Sequence, residues 1–98
     1  MGQIDSEILW QLAAKYIWWK TPLEALRYPD RVIAQVMDIG DYDDVQKLVG
    51  QLSTEYLRQM LIRAEIGQFS PRSWAYWHYR LGLAAPGRVP PVPARRIA

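Results

Sequence analysis

Apolar residues along this chain recur every three or four positions, and Gly, Pro and short polar stretches cut them into brief runs. That period is helical, and no segment shows the sustained alternation of a half-buried strand. Leu9, Leu12, Ala13 and Tyr16 share one face of a first helix that Ser6 can cap. Thr21-Pro22-Leu23-Glu24 has the form of a capping box with proline at the first helical position, which predicts a second helix. It must be short, because Pro29 disfavours helical backbone at Tyr28. Pro29-Asp30 opens a third, in which Val32, Ile33, Val36 and Met37 keep the 3.6-residue period up to Gly40.

Asp41 is placed to cap a fourth helix, with Asp43 and Asp44 in the first turn, where the helix dipole favours negative charge. Val45, Leu48 and Val49 form its apolar face, and Gly50 is its expected end. Ser53 or Thr54 caps a fifth, which carries Leu57, Met60, Leu61 and Ala64 toward Gly67. Ser70-Pro71 opens a sixth, closed by Gly82. The prediction is therefore an all-α fold: a compact single domain of five to six short helices over residues 1–83. Residues 84–98 form a flexible Pro/Arg-rich tail, since APGRVPPVPARRIA has four prolines in fourteen residues and favours an extended, polyproline-like backbone.

The sixth helix changes the functional picture. On a helical wheel, Trp74, Trp77, His78 and Leu81 share one face, and Arg72, Tyr76 and Tyr79 share the opposite one. A terminal helix buries one face, so the tryptophans are expected in the core. That leaves Arg72, Tyr76 and Tyr79 as a candidate partner surface, built of residue types enriched in interface hot spots. Trp18 and Trp19 pose a similar question. If the first helix continued through them, Trp18 would join the polar side with Gln11 and Lys15, and Trp19 the Leu12 side as core. Packing under the following turn is the simpler account of the pair, with partner contact through Trp18 as the alternative.

Charge refines this further. The chain has a net charge of +2, but Arg88, Arg95 and Arg96 lie in a tail that has no acid. Residues 1–83 then hold nine bases against ten acids, a net −1. A nucleic-acid binder usually shows a basic face on its folded domain, so this distribution argues against that function. No cysteine is present, which excludes disulfides, thiolate metal sites and a cysteine nucleophile and fits a cytoplasmic protein. No long apolar run suggests a membrane helix or a signal peptide.

Catalytic chemistry finds no footing. His78 is the single histidine and is expected to be packed and hydrogen-bonded in the core. No His/Asp/Glu spacing suits a metal. Asp38, Asp41, Asp43 and Asp44 lack the alternating spacing and terminal Glu of a calcium loop, and read as caps and solvated surface. The glycines are isolated, so there is no phosphate-cradling loop, and no nucleophile motif occurs. The reading is non-enzymatic, with no cofactor, metal, small-molecule substrate or membrane association. A helix-turn-helix around Gly50 is the alternative. Its second helix would have to use Arg58 and Gln59 on base edges, while its acidic first helix met phosphates unfavourably.

The order IAQVMDIGDYDDVQKLV followed by LRQMLIRAEIGQFSPRSWAYWHYRLG is similar to a group of small bacterial helical proteins. These are antitoxins partnered with abortive-infection (AbiE-type) nucleotidyltransferase toxins. The resemblance covers about Pro29 to Leu83, and rests on Gly40, Asp44, Phe69, Ser70, Pro71, Arg72, Trp74 and Trp77 together with the apolar positions Ile33, Val36, Leu48 and Leu57. It implies a protein that neutralises a neighbouring nucleotidyltransferase by direct contact. Arg72, Tyr76, Tyr79, Trp18 and the tail arginines Arg88, Arg95 and Arg96 are the partner-binding candidates. A DNA-binding regulator and a plain structural adaptor are the competing classes.

Overall fold

A computed structural model describes residues 5–85 and 87–93. Among them are six helices and no strand: α1 Ser6–Tyr16, α2 Pro22–Ala25, α3 Pro29–Ile39, α4 Tyr42–Gln51, α5 Thr54–Ile62 and α6 Pro71–Arg80. None is long and apolar enough to cross a membrane. The expected all-α architecture holds.

Five of the six starts are set by a side chain that accepts a backbone N–H of the first turn, as helix ends require. Thr21 and Glu24 form the reciprocal capping box of α2, Asp41 caps α4, Ser53 caps α5 and Ser70 caps α6. The start of α1 is corrected by one residue: Asp5, not Ser6, accepts from Glu7 and Ile8. Tyr28 precedes α3 with no side-chain cap, and Pro29 there removes one N–H that would otherwise need a partner.

Two predicted ends also move. Gly50 lies inside α4, which continues to Gln51, because a glycine costs a helix only about 1 kcal/mol and the next turn still packs Leu48 and Leu52. Helix α5 stops at Ile62, before Ala64, and Gly67 instead takes a left-handed φ of 82° in the following turn. Gly40 ends α3 with φ −63°, so its requirement is space, not handedness. A Cβ there would fall against the Val36 carbonyl oxygen and within 2.9 Å of its Cγ1.

Helix α3 is central, packing against α1, α2, α4 and α6, while α5 packs on α6. Its Val32, Ile33, Val36 and Met37 are buried, with Leu9, Leu12, Ala13 and Tyr16 of α1 on one side. Trp74, Trp77, His78 and Leu81 are buried as the wheel predicted. Trp77 is 1 % exposed, and its indole Nε1 donates to the Met37 carbonyl at 2.7 Å, filling one of the acceptors left over at the end of α3. His78 Nδ1 lies 2.7 Å from the Trp74 carbonyl, which can only accept, so Nδ1 carries the hydrogen.

Two of the acids expected on the solvated surface are instead joints between helices. Asp44 is buried and accepts from Tyr16 Oη and from Lys15 Nζ at 2.7 Å, fixing α4 to α1. Asp38 accepts from the Ser70 backbone N–H at 2.9 Å and from Ser73 Oγ, fixing the start of α6 to the end of α3. The extended segment 87–93 lies on the domain: Trp74 Nε1 donates to the Pro90 carbonyl at 2.8 Å, and Val89 and Val92 pack against the core.

Candidate partner-binding site

Once the Trp face of α6 is buried, its other face borders the corner between α3 and α4. Arg72, Tyr76 and Arg80 of α6 stand opposite Ile39 and Tyr42 across a groove of about 390 Å³. Met37, Val45 and Trp77 supply its floor. Ile39 is 57 % exposed, Tyr42 76 % and Tyr76 50 %, so three large side chains meet water at one place. Nothing in the core requires them there. That is the arrangement of an anchor-lined contact surface.

The rigidity of each wall has a local cause. On α6, Tyr76 sits edge-on to Trp77 with ring centroids 5.3 Å apart. Arg80 Nη1 donates to Tyr76 Oη at 2.7 Å, and its guanidinium lies 5.4 Å from the Trp77 ring centroid. Arg80 is thus held against Tyr76 and Trp77. On the opposite wall, Gly40 allows the tight turn that brings Tyr42 round to the groove, and the Asp41 cap starts the helix that carries it.

Electrostatics hold that corner. The Asp44 backbone N–H and then Lys15 keep the Asp41 carboxyl below its ordinary value. Hydrogen bonds to Asp44 and Asp41 hold the Lys15 ammonium above its own. Burial, followed by the hydrogen bond to Asp44, pushes the Tyr16 hydroxyl upward. Asp38 also lines the groove, but both Ser70 and Ser73 donate to it, so its charge is already engaged.

The predicted site residues divide. Arg72 and Tyr76 share the groove. Tyr79 is 46 % exposed but serves the tail: its hydroxyl accepts from the Gly87 N–H at 3.3 Å. Trp18 lies at the α1–α2 turn, 78 % exposed and apart from the groove. Trp19, which a first helix continuing through it would have put in the core, is 53 % exposed, because α1 ends at Tyr16 and the chain leaves the helical path before reaching it; nor does the following turn cover the pair. Arg88 is exposed in the tail, while Arg95 and Arg96 lie outside the described residues.

The helix-turn-helix candidates fare differently. Arg58 Nε donates to the Leu81 carbonyl at 2.9 Å, closing the end of α6, and its guanidinium lies 3.6 Å from Glu55. Gln59 Nε2 donates to the same Glu55 at 3.1 Å. Both side chains are thus occupied within the domain. Ile39 and Tyr42, by contrast, were missed from the sequence, because only the folded α3–α4 corner brings them to Tyr76; Arg80 was missed although its place four residues after Tyr76 on α6 puts the two on one face.

Set against known proteins, the chain matches no protein-family model, no curated protein and no solved structure.

Proposed function

We propose that this protein acts without catalysis, by docking another protein into the groove between α6 and the α3–α4 corner. One observation carries this: Ile39, Tyr42 and Tyr76 are exposed together beside Arg72 and Arg80, on a framework that has no structural use for their exposure. Aromatic side chains desolvate large areas at low conformational cost, and part of the cost of ordering Arg80 is already met by its contacts with Tyr76 and Trp77. The resemblance of residues 29–83 to antitoxins supplies the partner class, a cytoplasmic nucleotidyltransferase toxin that would be neutralised by direct contact. The engagement of Arg58 with Leu81 removes support from the helix-turn-helix alternative.

Co-expression with the nucleotidyltransferase encoded nearest to this protein tests the reading. The intact chain should restore growth and co-purify with the enzyme. Tyr76→Ala combined with Arg72→Ala should weaken the complex at least about 100-fold, as expected for loss of two hot-spot side chains. A folded double variant that neutralises fully would exclude the groove, and a toxin unaffected by the intact chain would exclude the partner.

A further inference from the structure

Basic residues scattered along the chain converge on one face, which shares no lining residue with the groove. Lys20 comes from the α1–α2 turn, Arg27 from the end of α2, Arg31 from the first turn of α3 and Arg63 from the end of α5. Arg27, Arg31 and Arg63 line a hollow of about 420 Å³ beside Tyr28. A second hollow of about 300 Å³ has Trp19 and Ile66 in its wall. The two share Arg31, Glu65 and Gln68, so they adjoin and together make up an interrupted trough.

Aromatic rings are interleaved with these cations. The Tyr28 ring, 52 % exposed, has Lys20 Nζ 5.7 Å and Arg31 Cζ 5.1 Å from its centroid. Trp19 extends the line, and Trp18 stands edge-on to it at 5.5 Å. The acids nearby are mostly engaged. Asp30 accepts from Tyr56 Oη and lies 3.8 Å from Arg63, and Glu24 is bound to the Thr21 hydroxyl. Glu65 stands exposed at the rim of both hollows.

We propose that this face, built on Trp18, Trp19, Tyr28, Lys20, Arg27 and Arg31, with Arg63 paired to Asp30 at its edge, binds single-stranded nucleic acid without sequence preference. A single strand offers a planar π face and a phosphate at every step, and so matches alternating rings and cations along a trough. Bases stack on the exposed rings while arginines take the phosphates, with cation–π contact already in place at Tyr28. No base-edge readout is involved, so binding should follow backbone charge and stacking, not sequence. This surface shares no residue with the proposed protein-docking groove, and either can fail alone.

The test uses the full chain and fluorescein-labelled oligo(dT) and oligo(U) of about 15 nucleotides, a length suited to one small domain. Saturable binding is expected at low salt, weakening steeply between about 50 and 200 mM. Trp18→Ala and Arg31→Ala should each lower affinity about ten-fold or more, because a ring or a phosphate contact is lost. Glu65→Gln should tighten binding, and Tyr76→Ala, in the other groove, should leave it unchanged. Absence of saturable binding at low salt would overturn the proposal. So would loss of binding in Arg95→Ala/Arg96→Ala while Trp18→Ala and Arg31→Ala bind normally, since the tail would then be the site. Polyglutamate competing as well as the oligonucleotide would assign the face to an acidic protein instead.

Discussion

Trp77 shows how much one side chain can decide. Its ring fills the space beside α3 and its indole N–H serves the Met37 carbonyl in a fully buried position. Trp77→Phe keeps much of the ring but leaves that carbonyl without its donor. An unsatisfied buried acceptor costs about 1–3 kcal/mol, and the missing ring atoms add a cavity. The expected result is a loss of about 2–4 kcal/mol in urea denaturation, with an unchanged m value. A loss below about 0.5 kcal/mol would mean the bond is dispensable. Burial of Trp77 was legible from the wheel; its hydrogen bond was not, because Met37 belongs to another helix. The same holds for Asp44 and Asp38, whose sequence neighbours suggested solvent and whose actual partners are Tyr16, Lys15, Ser70 and Ser73.

At the scale of the helix, starts were easier to read than ends. A cap is a local chemical event: Thr21, Asp41, Ser53 and Ser70 each answer an N–H three residues away. An end depends on what the next turn packs against, which is why α4 runs through Gly50. This separates two glycines experimentally. A Cβ at Gly50 meets nothing within 4 Å, so Gly50→Ala should stabilise by about 0.5–1 kcal/mol and raise Tm by several degrees. Gly40→Ala meets the Val36 carbonyl and side chain, and should lower Tm and loosen the corner that bears Tyr42. Calorimetry on the two variants settles both signs; a stabilised Gly40→Ala would contradict the steric account. The groove was half legible for a similar reason. Arg72 and Tyr76 follow from the period of α6, whereas Ile39 and Tyr42 arrive from a different element.

Across the whole molecule, charge counting along the chain was misleading. It located the positive excess in the tail, while the fold gathers Lys20, Arg27, Arg31 and Arg63 around Tyr28. The titrating groups also bound stability in pH. Asp41 and Glu24 are held below their ordinary values, by the Asp44 N–H and Lys15 in one case and by Thr21 in the other. Their contribution is present above the usual carboxylate range and is lost as pH falls through the lowered values. Tyr56 is pushed up to about 12 by burial and then by Asp30, and Tyr16 also moves upward. Their contribution is complete below about pH 10 and disappears as pH rises through the raised values. Thermal melts should therefore show a plateau from about pH 5 to 9 with a fall on each side. Tyr56→Phe should make the alkaline limb shallower than in the unaltered protein, and an identical limb would remove Tyr56 from the account.

The placement of α6 has a consequence for synthesis. The apolar side of α3 is translated early, but the residues that close it, Trp74, Trp77 and Leu81, are among the last of the folded region to be made. While the nascent chain lacks them, Ile33, Val36 and Met37 have no cover on that side, and the Met37 carbonyl lacks its donor. Folding of this domain thus waits until α6 has been made. A chain stalled before Trp77 is the species most exposed to aggregation and to chaperones.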